Sequence, residues 1–564
     1  MNWEYICDHF FTRLTPWIID YHPSGTFSPV INLGTLLTGQ WYLFKPAPTK
    51  IFQYLKSPLS SKTNVIIKTP NRTIKSSSSF TGNVLKLFLG SVVSQALGVL
   101  VAPVVTRIFE PEAFGVAALF ISITGIITVV ACLRYELSIM LPKTDEEAAN
   151  LLGLSLCFVL VTTVISALII FFAGDVIANL LHSPEIRKYL WLIPVSIFTS
   201  GIFLTLNYWN SRIKHFGCLS IARVISSVVT QTTKLGIGFA GFVSGGVLIG
   251  TSILGQVVST FILGSQVWRD NGGLFKENIR WKRMIAGLKR YKKFPIYSTS
   301  SALLNTVSQQ LPVLLLAAYF SPKIVGFYAL GRMVLGMPMG LVGKAIGQVF
   351  FQKASDAHNS TGNLPEVVEE VFKRLVAIGI FPILLLTLIG KDVFIVAFGT
   401  RWAEAGVYMQ ILCIWSFFVF ISSPISTLFA VLEKQSYGLL FNIALFVTRA
   451  ISLIGGGLIG NARISLVLFS GTGTIAFLVM TFWLLSCVNI SPVRTLNIFF
   501  KNVIMCIPIL SIVILCKFAF NFTPLLMISI GIIGSISYYL IIIKQDRELQ
   551  KLIRILTKKL GFGK

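Results

Sequence analysis

The sequence predicts an all-α polytopic membrane protein of about 14 transmembrane helices. They form two six-helix bundles related by a pseudo-two-fold axis along the membrane normal, with two further helices at the C-terminal end. Three observations predict this: an apolar composition, a regular succession of bilayer-length apolar runs, and a hinge motif that occurs twice. Of 564 residues, 54% are hydrophobic and only 12% are charged, with a mean hydropathy of +0.77. A soluble globule of this composition would lack the polar surface to cover itself.

A bilayer core takes about 20 apolar residues per helix. Such runs fall at 84–107, 114–133, 151–172, 190–210, 217–240, 245–267, 294–320, 325–350, 371–390, 406–430, 437–459, 464–487, 498–519 and 523–543. The net charge of +26 first suggests nucleic acid, but most basic residues occupy short links between apolar runs, as membrane topology demands. With helix-end residues such as Arg107 counted in the adjoining links, alternate links divide sharply: 26 Lys and Arg lie in the even links and the C-terminal tail, against 8 in the odd links. The positive-inside rule then places both termini and the even links in the cytoplasm.

Residues 1–80 hold aromatics without helical period, several prolines and the polar run KTNVIIKTPNRTIKSSSS, and are expected to form a poorly ordered cytoplasmic extension. The expected divisions that follow are an N-lobe over 81–268 (helices 1–6), a basic cytoplasmic linker over 269–293 and a C-lobe over 294–490 (helices 7–12). Helices 13 and 14 occupy 491–543, and a basic tail covers 544–564. The linker holds nine Lys and Arg against Asp270 and Glu277, and reads as a topology anchor or an amphipathic helix lying on anionic lipid.

The hinge reads FEPEAFGVAAL from Phe109 to Leu119 and FSPKIVGFYAL from Phe320 to Leu330. Both copies join an outward-going helix to an inward-going one. Proline starts or stops a helix there, and glycine lets backbones approach. Helices 1 and 2 thus correspond to helices 7 and 8, the offset expected of parallel transporter repeats.

Ionisable residues at bilayer depth are costly and mark pathways. Those inside the runs are all cations: Arg223 and Lys234 in helix 5, Arg332 and Lys344 in helix 8, and Arg449 in helix 11, with no Asp or Glu expected well inside any helix. Arg223, Lys234, Arg449 and Arg332 are the candidate lining of a cationic lumen, while snorkelling is the competing role for Arg332 and Lys344. Such a lumen attracts a phosphate or diphosphate, with Arg supplying forked donors and Lys a point charge. Gln95, Asn207, Asn305 and Gln309 are candidate polar lumen residues for a sugar; interhelical bonding is their competing role. Seven of the eight cysteines lie in or beside apolar runs without a C-x-x-C pair, and the five histidines are scattered, so neither a disulfide framework nor a metal site is expected.

Two stretches carry a family resemblance: RYELSIMLPKTDEEAANLL from Arg134 to Leu152, and YKKFPIYSTSSALLNTVSQQLPVLLLAAYFSPKIVGFYALGRMVLGMPMGLVGKAIGQVFFQKAS from Tyr291 to Ser355. The chain resembles the oligosaccharide flippases of bacterial polysaccharide biosynthesis, members of the multidrug/oligosaccharidyl-lipid/polysaccharide exporter superfamily. The resemblance implies a multi-pass protein of the bacterial inner membrane that moves polyprenyl-diphosphate-linked oligosaccharide from the inner to the outer leaflet by alternating access. The product would be O-antigen, capsule or exopolysaccharide. It also implies contact with membrane lipids, working partners among polysaccharide polymerase and chain-length proteins, and a monomeric transport unit.

Arg134 and Glu136 join helices 2 and 3 and are candidate gate residues, with Glu136 pairing either with Arg134 or with a base of the other lobe. No cofactor is expected, and the energy source stays open among a proton gradient, a sodium gradient and the membrane potential. The alternatives are a peptidoglycan-precursor flippase, a drug exporter, and a membrane polysaccharide polymerase or ligase. The last would need a sizeable external loop bearing acid/base residues, and the odd links are short.

Overall fold

The computed structural model describes residues 80–338, 343–520 and 522–545. The expected N-terminal extension, apart from Phe80, and the expected tail beyond Gln545 lie outside the described residues. Each predicted apolar run falls on a helix: α1 Phe80–Ile108, α2 Pro111–Val130, α3 Asp145–Leu180, α4 Leu192–Arg212, α5 Phe216–Phe239, α6 Gly245–Asn278 and α7 Ser300–Tyr319. After these come α8 Pro322–Pro338, α9 Leu364–Phe398, α10 Ala403–Ile425, α11 Gln435–Leu458, α12 Ala462–Cys487, α13 Pro492–Phe518 and α14 Pro524–Gln545.

Twelve of these helices are long and apolar enough to cross a bilayer. Of the other two, α5 carries Arg223 and Lys234, and α8, which carries Arg332, is described as far as Pro338. Within the expected run 325–350, α8 is described to Pro338 and helix is described again over Lys344–Asp356. Lys344 lies on that second helix; its side chain is outside the described residues.

Helix boundaries follow local chemistry. The α3 helix starts well before the apolar run, because Thr144 caps it by accepting from the Glu147 backbone N–H at 3.4 Å and three acids occupy its first turn. Beyond its apolar run, α9 continues through Lys391 and Asp392 to Phe398. This corrects the expectation of an acid-free interior: Asp392 is on a helix, and Lys517 of α13 neutralises it at 2.8 Å while also donating to the Leu388 carbonyl. The basic linker holds a short helix, Trp281–Arg290, which buries Met284 and leaves Trp281 and Ile285 exposed. It is tied to α3 because Asn150 donates to the Asn278 carbonyl and accepts from the Arg280 N–H.

Helix pairing repeats with an offset of six. In the first bundle α1 packs on α5, α5 on α6, α4 on α6 and α3 on α4; in the second, α7 packs on α11, α11 on α12, α10 on α12 and α9 on α10. Both α13 and α14 dock on α9 outside the second bundle. The bundles meet along α2 against α7 and α8, and where α1 touches α9.

The two hinge copies face each other at this seam. A Cβ on Gly115 would strike the carbonyl of Pro322, and one on Gly326 would strike the carbonyl of Pro111. This reciprocal contact is what a two-fold relation produces, and only glycine permits backbones so close. Trp402, fully buried at the head of α10, closes the seam: its indole N–H donates to the Thr106 carbonyl at 2.8 Å, and its ring meets Phe114 of one hinge and Phe327 of the other edge-on.

Candidate functional site

Among the described residues, neither α1 nor α5 of one bundle packs extensively on α7 or α11 of the other. Each bundle puts an arginine from its fifth helix onto its first. Arg223 of α5 donates to Ser91 Oγ of α1 at 3.0 Å and to Asn207 Oδ1 of α4 at 3.5 Å. Arg449 of α11 donates to Ser308 of α7, to its Oγ at 3.0 Å and its carbonyl at 3.4 Å. The two arginines occupy different turns of corresponding helices, so the repeat is one of architecture and not of residue position.

Arg449 is 9% exposed, and its Nε has no hydrogen-bond partner. Its guanidinium stacks over Phe469 at 5.9 Å. Arg332 of α8 donates to the Gln309 carbonyl at 2.9 Å and to the Tyr328 hydroxyl at 3.3 Å. Because Ser308 and Gln309 are consecutive, both guanidinium groups meet on one turn of α7. Asn305 and Gln309 are bonded to each other, one turn apart on α7, at 3.2 Å. Gln95 of α1 is exposed, one turn beyond Ser91. Lys234 stands eleven residues from Arg223, about 16 Å along α5, and has no hydrogen-bond or ion-pair partner among the described residues.

Charge pairing sets these cations apart from four other arginines. Arg187, Arg212, Arg463 and Arg494 each hold a carboxylate, respectively Asp175, Asp145, Glu404 and Glu369. Among the described residues Arg223, Lys234, Arg332 and Arg449 have no carboxylate partner. Cations that keep only hydroxyls and carbonyls as partners retain donor capacity for an anionic ligand. The sequence exposed the cations but not their supports. Ser91 and Ser308 are common residues in such helices, and only the packing of α1 on α5 and of α7 on α11 singles them out.

The candidate gate lies apart from this cluster, in the link between α2 and α3. Glu136 sits on a four-residue helix, Tyr135–Ser138, and is 1% exposed. Of the two expected partners it takes Arg134, at 3.6 Å, and neither carboxylate oxygen makes a hydrogen bond. Burial pushes its carboxyl up to about 7, with Arg134 opposing that rise.

Comparison with known proteins accords with this architecture. Residues 104–407, more than half of the chain, match the family model described as polysaccharide biosynthesis protein. A Klebsiella pneumoniae protein described as an uncharacterized membrane protein in cps region is 28% identical over 190 residues, which cover 32% of this chain and 39% of that protein. The match therefore spans about two fifths of the relative's length. Among solved structures, the lipid II flippase MurJ in an inward closed conformation superposes with a TM-score of 0.64 at 15% identity, over 82% of this chain and 99% of that one. An inward-facing multidrug resistance MATE family transporter of the MOP superfamily gives a TM-score of 0.55 at 15% identity, over 71% and 95% of the two chains. At these identities the two structures establish a shared fold. The chain is a multi-pass membrane protein that belongs to the polysaccharide biosynthesis protein family.

Proposed function

We propose that this protein is a flippase that carries polyprenyl-diphosphate-linked oligosaccharide from the inner to the outer leaflet of the bacterial cytoplasmic membrane, for surface polysaccharide assembly. What supports the reading is the set of cations without carboxylates carried by both of two similar bundles; in this reading the space between the bundles is the cleft through which the head group passes. A diphosphate at a membrane interface needs such a site in order to leave one leaflet. Arg449 and Arg332 offer guanidinium donors on one wall and Arg223 on the other, with Lys234 further along α5. Asn207, Asn305, Gln309 and Gln95 supply amide groups for sugar hydroxyls. The cargo's lipid tail stays in the bilayer while the head group crosses, and no covalent step is required of the protein.

By the positive-inside rule the basic face is the cytoplasmic one, and in this reading the cargo enters from that side. Rocking of the bundles about the glycine seam would then expose the same cations to the other side. In cells, the test is where lipid-linked oligosaccharide accumulates when the gene is deleted. Accumulation on the cytoplasmic leaflet, relieved by the wild-type gene, is the expected result. Accumulation of a peptidoglycan precursor instead would reassign the cargo, and unchanged delivery of both would overturn the flippase reading.

A further inference from the structure

The link between α2 and α3 contains a buried acid that the pathway does not use. Glu136 lies on a short helix wedged into the basic-face end of the first bundle. Its neighbours Tyr135 and Ile139 are fully buried there, in one apolar cluster with Leu206 and Trp209 of α4 and Leu219 and Ala222 of α5. The chain enters this turn through two consecutive non-glycine residues in the left-handed region, Leu133 at φ 47° and Arg134 at φ 62°. Such backbone is uphill for side-chain-bearing residues and persists only where surrounding packing imposes it.

An ionised carboxylate in this setting is poorly provided for. Neither oxygen has a hydrogen-bond donor, and the single counter-charge, Arg134, stands at 3.6 Å with its own Nε unsatisfied. Arg134 is itself 27% exposed and can turn away to water. The other titratable groups beside Glu136 are Cys132, which precedes the turn, and Tyr208 of α4. On α3, which packs on this link, the charged groups of the first turn are Asp145, Glu146 and Glu147. Asp145 of α3 is held by Arg212 at 2.9 Å, Glu147 by Arg290 at 3.3 Å, and the Tyr135 hydroxyl donates to the Leu288 carbonyl. Tyr297 belongs to the turn Phe294–Thr299 that packs on the same link.

This turn is mechanically close to the cationic site. Tyr208, which senses Glu136, adjoins Asn207, which accepts from Arg223; Ala222, in the cluster that encloses the turn, adjoins Arg223. We propose that Glu136 is a proton-binding site that controls the basic-face end of the first bundle. With a proton bound, the carboxyl is neutral and the turn stays seated on α3 and α4; with the proton lost to water, the charge draws Arg134 inward and loosens the turn, shifting α4 and with it Asn207, which accepts from Arg223. The proton is exchanged with solvent at this face, and no other reactant is involved. The inference rests on the proposed transport reading for its purpose, but the site is defined without any cargo. The rise of the Glu136 carboxyl to about 7 places this exchange in the physiological range.

The test uses the full-length protein in lipid nanodiscs without cargo. Infrared difference spectra taken from about pH 5 to about pH 9 should show a protonated-carboxyl band that is lost near pH 7 and is absent in Glu136→Gln. Removing the opposing cation with Arg134→Gln should move that midpoint upward. Hydrogen exchange over residues 131–144 and 206–224, corrected for its intrinsic pH dependence, should show protection that falls with the same midpoint in the wild type and is independent of pH in Glu136→Gln. A spectrum without a band attributable to Glu136, or exchange profiles identical in the two proteins at every pH, would overturn the proposal. If the titration appears while the leaflet assay in cells fails, the cargo reading falls and the proton site stands; the opposite pair of results removes only the proton site.

Discussion

The seam between the bundles and the helices that carry the unpaired cations differ in almost every chemical respect. At the seam, Phe109, Leu119, Tyr328 and Trp402 are essentially inaccessible, and the backbones of α2 and α8 touch through Gly115 and Gly326. The cation-bearing helices instead hold Arg223, Lys234, Arg332 and Arg449, with Asn207 and Gln309 beside them and no carboxylate on any of the four among the described residues. What this contrast teaches is a division of labour. A hinge needs close, dry, directionless packing about which rigid bodies turn, whereas a pathway needs polar groups whose partners are incomplete.

The contrast breaks most severely at its tightest point. Gly115→Leu or Gly326→Leu forces a side chain into the opposing backbone, and we expect a loss of about 3 kcal/mol, seen as early thermal unfolding in detergent. Gly250→Ala, where an added Cβ meets nothing, should stay within about 0.5 kcal/mol. If Gly115→Leu melts with the wild type, the seam is not the packed hinge described here.

On the cleft side, Arg449→Ala should weaken binding of a short-chain polyprenyl diphosphate by about 10- to 100-fold, the worth of a charge-assisted hydrogen bond, while Arg463→Ala, whose arginine is already spent on Glu404, should leave it unchanged. Calorimetric titration of both variants checks this.

A pH experiment sharpens the same comparison. The Glu136 carboxyl is raised in the folded state, so its contribution to stability is complete below about 4.5 and is lost as pH rises through about 7. Glu136→Gln should therefore gain stability relative to the wild type on going from acid to pH 8, on the order of 2 kcal/mol. A constant difference between the two melting curves across pH would contradict that. Smallest is Trp402→Phe, which removes the hydrogen bond to Thr106 and should cost about 1 kcal/mol, measured by the same melts.

Much of this molecule is legible in one dimension. Apolar runs of bilayer length have few alternatives to a helix, so all fourteen runs fall on helices. The cations were visible because charge inside such a run is conspicuous. Three features needed the folded chain. The reciprocal approach of Gly115 and Gly326 depends on which helices meet, although the doubled motif hinted that its copies were equivalent. The passage of α9 through Lys391 and Asp392 is permitted because Lys517, 125 residues further on, neutralises the acid. Glu136 reads as a loop residue between charged neighbours, and its burial arises because Tyr135 and Ile139 pull the turn into the bundle.

The central claim is that a diphosphate head group crosses through the cationic cleft. The measurement that tests it most directly is transbilayer movement of a polyprenyl-diphosphate-linked oligosaccharide in proteoliposomes containing wild-type protein, Arg223→Ala or Arg449→Ala, each verified as folded by its melting curve. The account predicts movement with the wild type and its loss with either variant. Wild-type rates retained by both variants would contradict it.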